Sequence, residues 1–183
     1  RPLHALDCGI GTGALSDALA RAASLPPRLS GIDISPRMLT QARAHLRECG
    51  LSASLRQGDI RQLPYENNSF DIVMTAHVLE HLADPLAALR EMTRVLRPGG
   101  LLVTCLTRRS PLGAFIQLLW RTHRLSPSEA EGWLRDSGLT HVQSRELEGH
   151  GLCRRLSLAC AGQKPGRLRL SPDGRNSPAD RSS

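Results

Sequence analysis

The stretch Asp7-Cys8-Gly9-Ile10-Gly11-Thr12-Gly13 decides the fold that this sequence predicts. An apolar run over residues 3–6 precedes it, and a run rich in alanine and leucine follows over residues 14–23. This order predicts a β-strand, a glycine turn and an α-helix, because glycine adopts dihedral angles that other residues avoid and lets a ligand approach the main chain. A tight turn that binds nothing is the alternative for the glycine stretch taken alone.

The end of the second apolar run carries an acid, Asp33, twenty residues after Gly13. A carboxylate at the tip of a second strand accepts hydrogen bonds from ribose hydroxyls in nucleotide-binding folds. The glycine turn and this acid together predict a cofactor of the adenosine type, bound on a doubly wound sheet.

Two further segments are expected at the same edge of the sheet, because ligands bind beyond the carboxyl ends of the strands in open α/β sheets. Asp59 follows the third predicted strand, where its carboxylate can accept a hydrogen bond from an amino group such as that of adenine. A turn aspartate without a ligand is the alternative for that position. Thr75-Ala76-His77 ends the fourth predicted strand and is expected to face the reactive end of the cofactor.

Strand and helix signals alternate from residue 1 to residue 163, which predicts one α/β domain with a mostly parallel sheet. Three helices are expected to begin where serine or aspartate, which caps a helix, precedes proline, which suits its first turn. These pairs are Ser35-Pro36, Asp84-Pro85 and Ser126-Pro127, and the expected ends are Gly50, Pro98-Gly99-Gly100 and Gly138. The predicted strands cover residues 3–8, 28–33, 53–57, 70–76 and 101–106, with an antiparallel pair at 140–147 and 156–162.

Length and composition favour a single cytoplasmic domain. The 183 residues suffice for one hydrophobic core, and no apolar run approaches the roughly 18–20 residues of a membrane span. No signal peptide is visible. The five cysteines are odd in number and form no Cys-x-x-Cys pair, which favours reduced thiols, and no residue is predicted to bind a metal.

The net charge of +7 is unevenly distributed, since residues 164–183 alone hold five basic and two acidic residues. This segment has almost no apolar content, so we predict that 164–183 is a disordered basic tail. Aromatic residues make up only 3% of the chain, which argues against stacking on single-stranded nucleic acid. A solvated basic surface without a nucleic-acid partner is the favoured interpretation.

Residues 108–124 carry the clearest sequence signal about a substrate. Apolar side chains recur there at helical spacing, and four arginines flank them. A basic-edged apolar helix can lie on a membrane surface or cover a lipid-like substrate, whereas ordinary packing on the sheet edge is the alternative. The apolar residues are Leu112, Phe115, Ile116, Leu119 and Trp120.

Several motifs in order resemble class I S-adenosylmethionine-dependent methyltransferases, and most closely the ubiquinone and menaquinone biosynthesis methyltransferases of the methyltransferase type 11 group. The glycine stretch resembles the first motif, Gly31-Ile32-Asp33 with the residues up to Leu39 resembles the second, and Gln57-Gly58-Asp59-Ile60 resembles the third. The remaining similarities are Leu63-Pro64-Tyr65, Ser69-Phe70-Asp71-Ile72-Val73, His77-Val78-Leu79-Glu80-His81-Leu82 and Leu96-Arg97-Pro98-Gly99-Gly100.

The resemblance implies a Rossmann-like three-layer sandwich over residues 1–163, with seven strands in the order 3-2-1-4-5-7-6 and strand 7 antiparallel. Family members usually have a helical segment before the first strand. Here the first predicted strand begins almost at residue 1, so we expect that N-terminal helix to be missing.

The resemblance also implies the roles of individual residues around S-adenosylmethionine. Asp7, Gly9, Gly11 and Gly13 would contact its methionine moiety. Asp33 would bind the ribose, Ile34 and Met38 would pack on adenine, and Asp59 with Ile60 would hold the adenine edge. Ala76 and His77 would line the methionine and substrate side.

Methyl transfer to a small or lipid-like molecule is therefore the expected activity. The reaction needs the acceptor placed in line with the methyl group, and a base only where the acceptor has a proton to lose. His77 or His81 could supply that base, although His77 is better suited to lining the cofactor pocket. The alternatives are a cofactor-binding remnant without activity and a nicotinamide-dependent oxidoreductase.

Overall fold

Seven strands and four helices alternate through the part of the chain that the structure, a computed structural model, describes: residues 2–107, 126–146 and 157–166. The strands are β1 (His4–Cys8), β2 (Arg28–Asp33), β3 (Ala53–Gln57), β4 (Phe70–Ala76), β5 (Leu96–Thr107), β6 (Thr140–Glu146) and β7 (Ser157–Gln163). The helices are α1 (Ala14–Ala22), α2 (Pro36–Glu48), α3 (Pro85–Val95) and α4 (Pro127–Asp136), with a 3₁₀ turn at Leu79–His81.

The strands form one sheet in the order β3-β2-β1-β4-β5-β7-β6. The pairs from β3 through β5 are parallel, and β7 runs antiparallel to both β5 and β6. Asp7 of β1 lies opposite Gly31 of β2 and Met74 of β4, so these three strands end at the same edge of the sheet. Both the predicted strand order and the predicted antiparallel strand are confirmed.

The three helices predicted from a capping residue and proline begin as expected. Ser35 accepts a hydrogen bond from Met38 N through its side chain, and Asp84 accepts one from Ala87 N. Ser126 and Glu129 form the reciprocal capping box. These caps satisfy main-chain groups that the first turn of a helix otherwise leaves without partners.

The end of α3 differs from the prediction. The helix ends at Val95, and Leu96 is already extended, with φ of −66° and ψ of 141°, so Pro98-Gly99-Gly100 lies in β5 and not at the helix terminus. Proline at 98 favours an extended residue before it, and an added Cβ on Gly100 would lie 3.0 Å from the Asp71 carbonyl oxygen. The segment therefore continues as an irregular strand beside β4.

Two groups of buried side chains pack against the sheet. The larger group contains residues of α3 and α4 together with β1, β4, β5 and β7, and the smaller group joins α2 to the residues beside β2 and β3. The smaller group consists of Ile10, Leu39, Ala42 and Leu46. The sheet thus lies between helices, as the three-layer prediction requires.

Lys164 belongs to the ordered domain, although the sequence places it in the tail. Its main chain exchanges hydrogen bonds with Gly99 and Gly100 at 2.9 Å. Its Nζ donates to the carbonyl oxygens of Thr93 at 2.8 Å and Leu96 at 2.7 Å. These bonds hold the end of α3 to the segment after β7. Residues 167–183 lie outside the described part of the chain, so their disorder stays a prediction.

The apolar run predicted between residues 108 and 124 also lies outside the described residues. In the part of the chain that is described, no helix combines the length and the apolar character that a membrane span requires.

Candidate cofactor and acceptor site

The glycine turn after β1 has the conformation that its sequence predicts. Gly9, Gly11 and Gly13 have φ angles of 71°, 55° and 84°, which side chains of L-residues rarely tolerate. The amides of Gly9 and Ile10 donate to the Ile32 carbonyl oxygen at 2.8 and 3.0 Å. The turn is therefore fixed to the end of β2 by main-chain hydrogen bonds.

Gly9 and Gly11 lack a side chain for different steric reasons. A Cβ on Gly9 would lie 2.5 Å from Cγ2 of Val78, so the turn packs directly against the segment after β4. A Cβ on Gly11 would meet only the Gly9 carbonyl oxygen, at 3.9 Å, so the space beside Gly11 is open. A side chain there would fill the surface on which a cofactor can approach the main chain, and the turn accordingly fits such a group.

The Asp33 side chain, at the end of β2, forms a hydrogen bond with the glycine turn that follows β1. One carboxylate oxygen accepts from Gly11 N at 3.0 Å and the other from Ser35 N at 2.9 Å. The residue is only 9% exposed, and the carboxylate keeps further lone pairs for hydroxyl donors. It lies where a ribose would be expected, and it also positions the glycine turn itself, which the sequence did not indicate.

Asp7 lies beneath the glycine turn and not on its surface. It is 1% exposed and accepts a hydrogen bond from Ser16 Oγ at 2.8 Å. Burial raises the pKa of Asp7 to about 6, and the charge of Asp33 adds to that rise. Asp7 can therefore influence a bound methionine moiety only by positioning the glycine turn or by the electrostatic field of its own carboxylate.

Of the residues predicted to contact adenine, some lie on the surface and one is buried in the core. Ile34 is 70% exposed at the end of β2, which is unusual for a large apolar side chain, and Met38 is half-buried nearby on the first turn of α2. Ile60, in contrast, is 6% exposed and packs in the larger core group. An exposed isoleucine at this edge is the surface on which a flat aromatic ring can pack.

Asp59 has a partner in the chain itself. Arg61 donates to its carboxylate from Nη2 at 2.6 Å, from Nε at 3.1 Å and from the main-chain N at 2.8 Å. This hydrogen bonding holds the pKa of Asp59 below its usual range. An adenine amino group would share the carboxylate with this arginine.

His77 occupies the end of β4 with an unusual main chain. Its φ is 55°, and its amide donates to the Cys105 carbonyl oxygen at 2.8 Å. Nδ1 lies 3.3 Å from Oε1 of Glu80, and Nε2 lies 3.5 Å from Oγ of Ser157. A strained conformation of a non-glycine residue at a strand end is a recurring feature of functional sites.

Glu80 and Ser157 were not predicted as site residues. Glu80 is 1% exposed, on the 3₁₀ turn three residues after His77, and Ser157 is 5% exposed at the start of β7. The His-x-x-Glu spacing was visible in the sequence, but the burial of the glutamate was not. Ser157 comes from a strand 80 residues away along the chain, and no local signal marked it.

The turn, Asp33, Ile34, Ala76 and His77 thus lie along the ends of β1, β2 and β4. The family model described as "Methyltransferase domain" matches residues 6–104. The chain belongs to this methyltransferase family.

The ubiquinone biosynthesis O-methyltransferase of Cereibacter sphaeroides (strain ATCC 17025) is 34% identical to this methyltransferase over 159 residues. The alignment covers 79% of this chain and 63% of that relative. The chain thus spans less than two thirds of the length of this relative.

Solved structures show the same fold. The CurJ carbon methyltransferase superposes with a TM-score of 0.76 at 18% identity, over 91% of this chain and 49% of that one. The [4+2]-cyclase SpnF superposes with a TM-score of 0.73 at 22% identity, over 90% and 76% of the two chains. At such identities the likeness establishes the architecture alone.

Membership of the family makes S-adenosyl-L-methionine the cofactor expected for this site. It decides against the nicotinamide-dependent alternative, which shares the glycine turn and the acid after β2. The described residues fit this group, since the turn is open at Gly11 and an apolar surface is exposed at Ile34.

Proposed function

We propose that this methyltransferase transfers a methyl group to a hydroxyl of a small or lipid-like molecule, with His77 as the base. The observation that carries this proposal is the contact of the half-exposed His77 ring with the buried Glu80 carboxylate at the end of β4. The O-methyltransferase named among the relatives supports an oxygen acceptor.

The cofactor, when bound, supplies an activated methyl group on a sulfonium. The main chain from Gly9 to Gly13 would hold its methionine moiety, with Asp7 acting from below, and Asp33 would accept from the ribose hydroxyls. Ile34 and Met38 would cover the adenine ring, whose edge Asp59 and the main chain of Ile60 would recognise. Ala76 and His77 would bound the side on which the acceptor enters.

His77 is suited to remove the proton of an acceptor hydroxyl. When its Nδ1–H donates to the Glu80 carboxylate, Nε2 is the acceptor nitrogen, and it is on the side of Ser157. As the imidazole takes up the proton, the neighbouring carboxylate stabilises the resulting positive charge. General base catalysis of this kind contributes roughly 10²–10⁴-fold to a rate.

The relatives and the apolar run before α4 support the size and polarity proposed for the acceptor. The similarity to a ubiquinone biosynthesis O-methyltransferase favours a hydroxyl on a molecule with apolar character. The apolar run at residues 112–119 would cover such a molecule, and a peripheral membrane contact is consistent with the arginines beside it. A cytoplasmic location and the absence of a nucleic-acid partner remain predictions.

Binding of the cofactor without methyl transfer is a second candidate function. The observation that favours it is that both ring nitrogens of His77 contact side chains of the protein, Glu80 and Ser157, as those of a structural histidine would. In that case His77 and Glu80 would serve a different step or only the structure.

Turnover over a panel of phenols and catechols tests the proposal. The release of S-adenosylhomocysteine is measured for the wild type, for His77→Gln and for His81→Gln, whose exposed ring lies in the same motif and serves as the control. We expect His77→Gln to lower kcat by roughly 10²–10⁴-fold while the KM for the cofactor changes little.

Two results would decide otherwise. If S-adenosylhomocysteine binds and no acceptor turns over, the second candidate function replaces the first. If an acceptor turns over and both variants have wild-type kcat and the wild-type pH profile, His77 is not the base.

A further inference from the structure

Three side chains that commonly bind zinc converge at the back of the glycine turn. Asp17 lies on the first turn of α1, and His45 and Cys49 lie at the end of α2, four residues apart and therefore on one face of the helix. Nε2 of His45 is 3.8 Å from Oδ2 of Asp17 and 3.9 Å from Sγ of Cys49. All three ligand atoms lie within 4.8 Å of one another.

These distances are close to those of an occupied site. With zinc bonds of about 2.0–2.3 Å in a tetrahedron, neighbouring ligand atoms lie about 3.3–3.6 Å apart. The three side chains are half-buried, so small changes in their torsion angles can close the remaining gap.

The donor set selects the class of metal. Imidazole nitrogen and thiolate sulfur bind zinc and related transition metals, whereas Mg²⁺ and Ca²⁺ take oxygen ligands. A divalent ion would balance the charges of the Asp17 carboxylate and the Cys49 thiolate. Three protein ligands leave a fourth position for water, and a surface pocket of about 280 Å³ beside Asp17 and Cys49 gives access from solvent.

Arg21 is the competing cation at this position. Its Nε donates to both carboxylate oxygens of Asp17, at 3.0 and 3.1 Å, and this contact holds the pKa of Asp17 below its usual value. The arginine side chain is 71% exposed, so it can withdraw from Oδ2 and keep its bond to Oδ1. Removing Arg21 should therefore strengthen metal binding.

We propose that Asp17, His45 and Cys49 form a zinc-binding site that links α1 to α2. An added Cβ on Gly13 would lie 3.2 Å from Cγ of Leu46, so the end of α2 packs directly behind the glycine turn. A metal at this position stabilises the pair of helices that begin at the cofactor site. Metal binding displaces the thiol proton of Cys49 to the buffer.

The test uses the full chain, reduced and stripped of metal, titrated with Co²⁺ and then with Zn²⁺. We expect a thiolate-to-cobalt charge-transfer absorption that Zn²⁺ abolishes. The absorption should be absent in Cys49→Ser and present in Cys105→Ser, the matched control, since Cys105 is half-buried like Cys49. His45→Gln and Asp17→Asn should weaken Zn²⁺ binding by tenfold or more, His141→Gln should leave it unchanged, and Arg21→Ala should strengthen it.

Absence of the absorption in the wild type, or its persistence in folded Cys49→Ser, would overturn the proposal. Unchanged Zn²⁺ affinity in folded His45→Gln or Asp17→Asn would do the same. Should a variant fail to fold, alkylation of the wild type with iodoacetamide decides the matter. Zn²⁺ should protect Cys49 and not the half-buried Cys105, and equal alkylation rates at Cys49 with and without Zn²⁺ contradict the site.

Discussion

The two halves of the site are built in different ways. The cofactor side, at the ends of β1 and β2, is held by main-chain hydrogen bonds and by Asp33, all within residues 9–35. The proposed acceptor side, at the ends of β4 and β5, consists of the side chains of His77, Glu80 and Ser157, from segments 80 residues apart. The cofactor side thus follows from local main-chain geometry, whereas the acceptor side exists only once distant strands have paired.

The two sides meet at the contact between Gly9 and Val78, which gives the largest expected effect. Gly9→Ala adds a Cβ 2.5 Å from Val78 Cγ2 at a φ of +71°, so we expect it to lower the free energy of unfolding by roughly 2–4 kcal/mol in urea denaturation. Gly50→Ala is the matched control, since Gly50 has a φ of +72° and no atom within 4 Å of the added Cβ. Equal losses in the two variants would show that the Val78 contact contributes nothing.

Asp7, the buried acid of the cofactor side, gives the second-largest expected effect, a pH dependence of the free energy of unfolding. The pKa of Asp7 is about 6 in the folded protein and near 3.8 in the unfolded chain, so the folded state binds this proton more tightly. The contribution of Asp7 to wild-type stability therefore falls as pH rises from about 4 to about 6, by about 3 kcal/mol. Asp7→Asn cannot ionise, so its unfolding free energy relative to the wild type should rise by that amount over the same range. A difference that does not change with pH would contradict the raised pKa.

Asp33 gives the third effect, because it contributes both to cofactor binding and to stability. Asp33→Ala should weaken S-adenosylhomocysteine binding by roughly 1–3 kcal/mol, because the ribose hydroxyls lose a charged acceptor. The sequence alone predicts little change in folding, but the amides of Gly11 and Ser35 lose their acceptor, so a similar loss of stability is now expected. Asp33→Asn keeps one oxygen and should lose less of both. If a folded Asp33→Ala protein bound S-adenosylhomocysteine with unaltered affinity, Asp33 would not be the residue that binds the ribose.

The smallest effect is expected at the end of the chain. Removing residues 167–183 should leave the thermal midpoint and the cofactor affinity nearly unchanged, because the segment lacks apolar content. Lys164→Met in the full chain should lower the midpoint instead, since several carbonyl oxygens near the end of α3 lose their donor. A drop of several degrees on truncation would show that the tail packs on the domain.

Local signals predicted most of the fold. The capping residues Ser35, Asp84 and Ser126 marked the three helix starts correctly, because a cap acts within four residues of sequence. The predicted end of α3 was wrong. Leu96 is fully buried in β5, and it would have been buried equally well on the inner face of a longer helix. An apolar residue at a boundary does not distinguish the two.

The two sides of the candidate site were not predicted equally well, because only local features can be read from the sequence. Glycine spacing and a distal acid identify the cofactor side, since each reflects a main-chain requirement. The burial of Asp7 and Glu80, the pairing of Asp59 with Arg61 and the approach of Ser157 depend on tertiary packing, which no spacing encodes. On the acceptor side, the sequence accordingly predicted Ala76, His77 and the alternative base His81, and it missed Glu80 and Ser157.

Calorimetric titration of the purified chain with S-adenosylhomocysteine and, separately, with NADH tests the central claim most directly. The cofactor side predicts saturable binding of S-adenosylhomocysteine that Asp33→Ala weakens, and no binding of NADH. Tight binding of NADH with no heat from S-adenosylhomocysteine would contradict the assignment of this edge of the sheet.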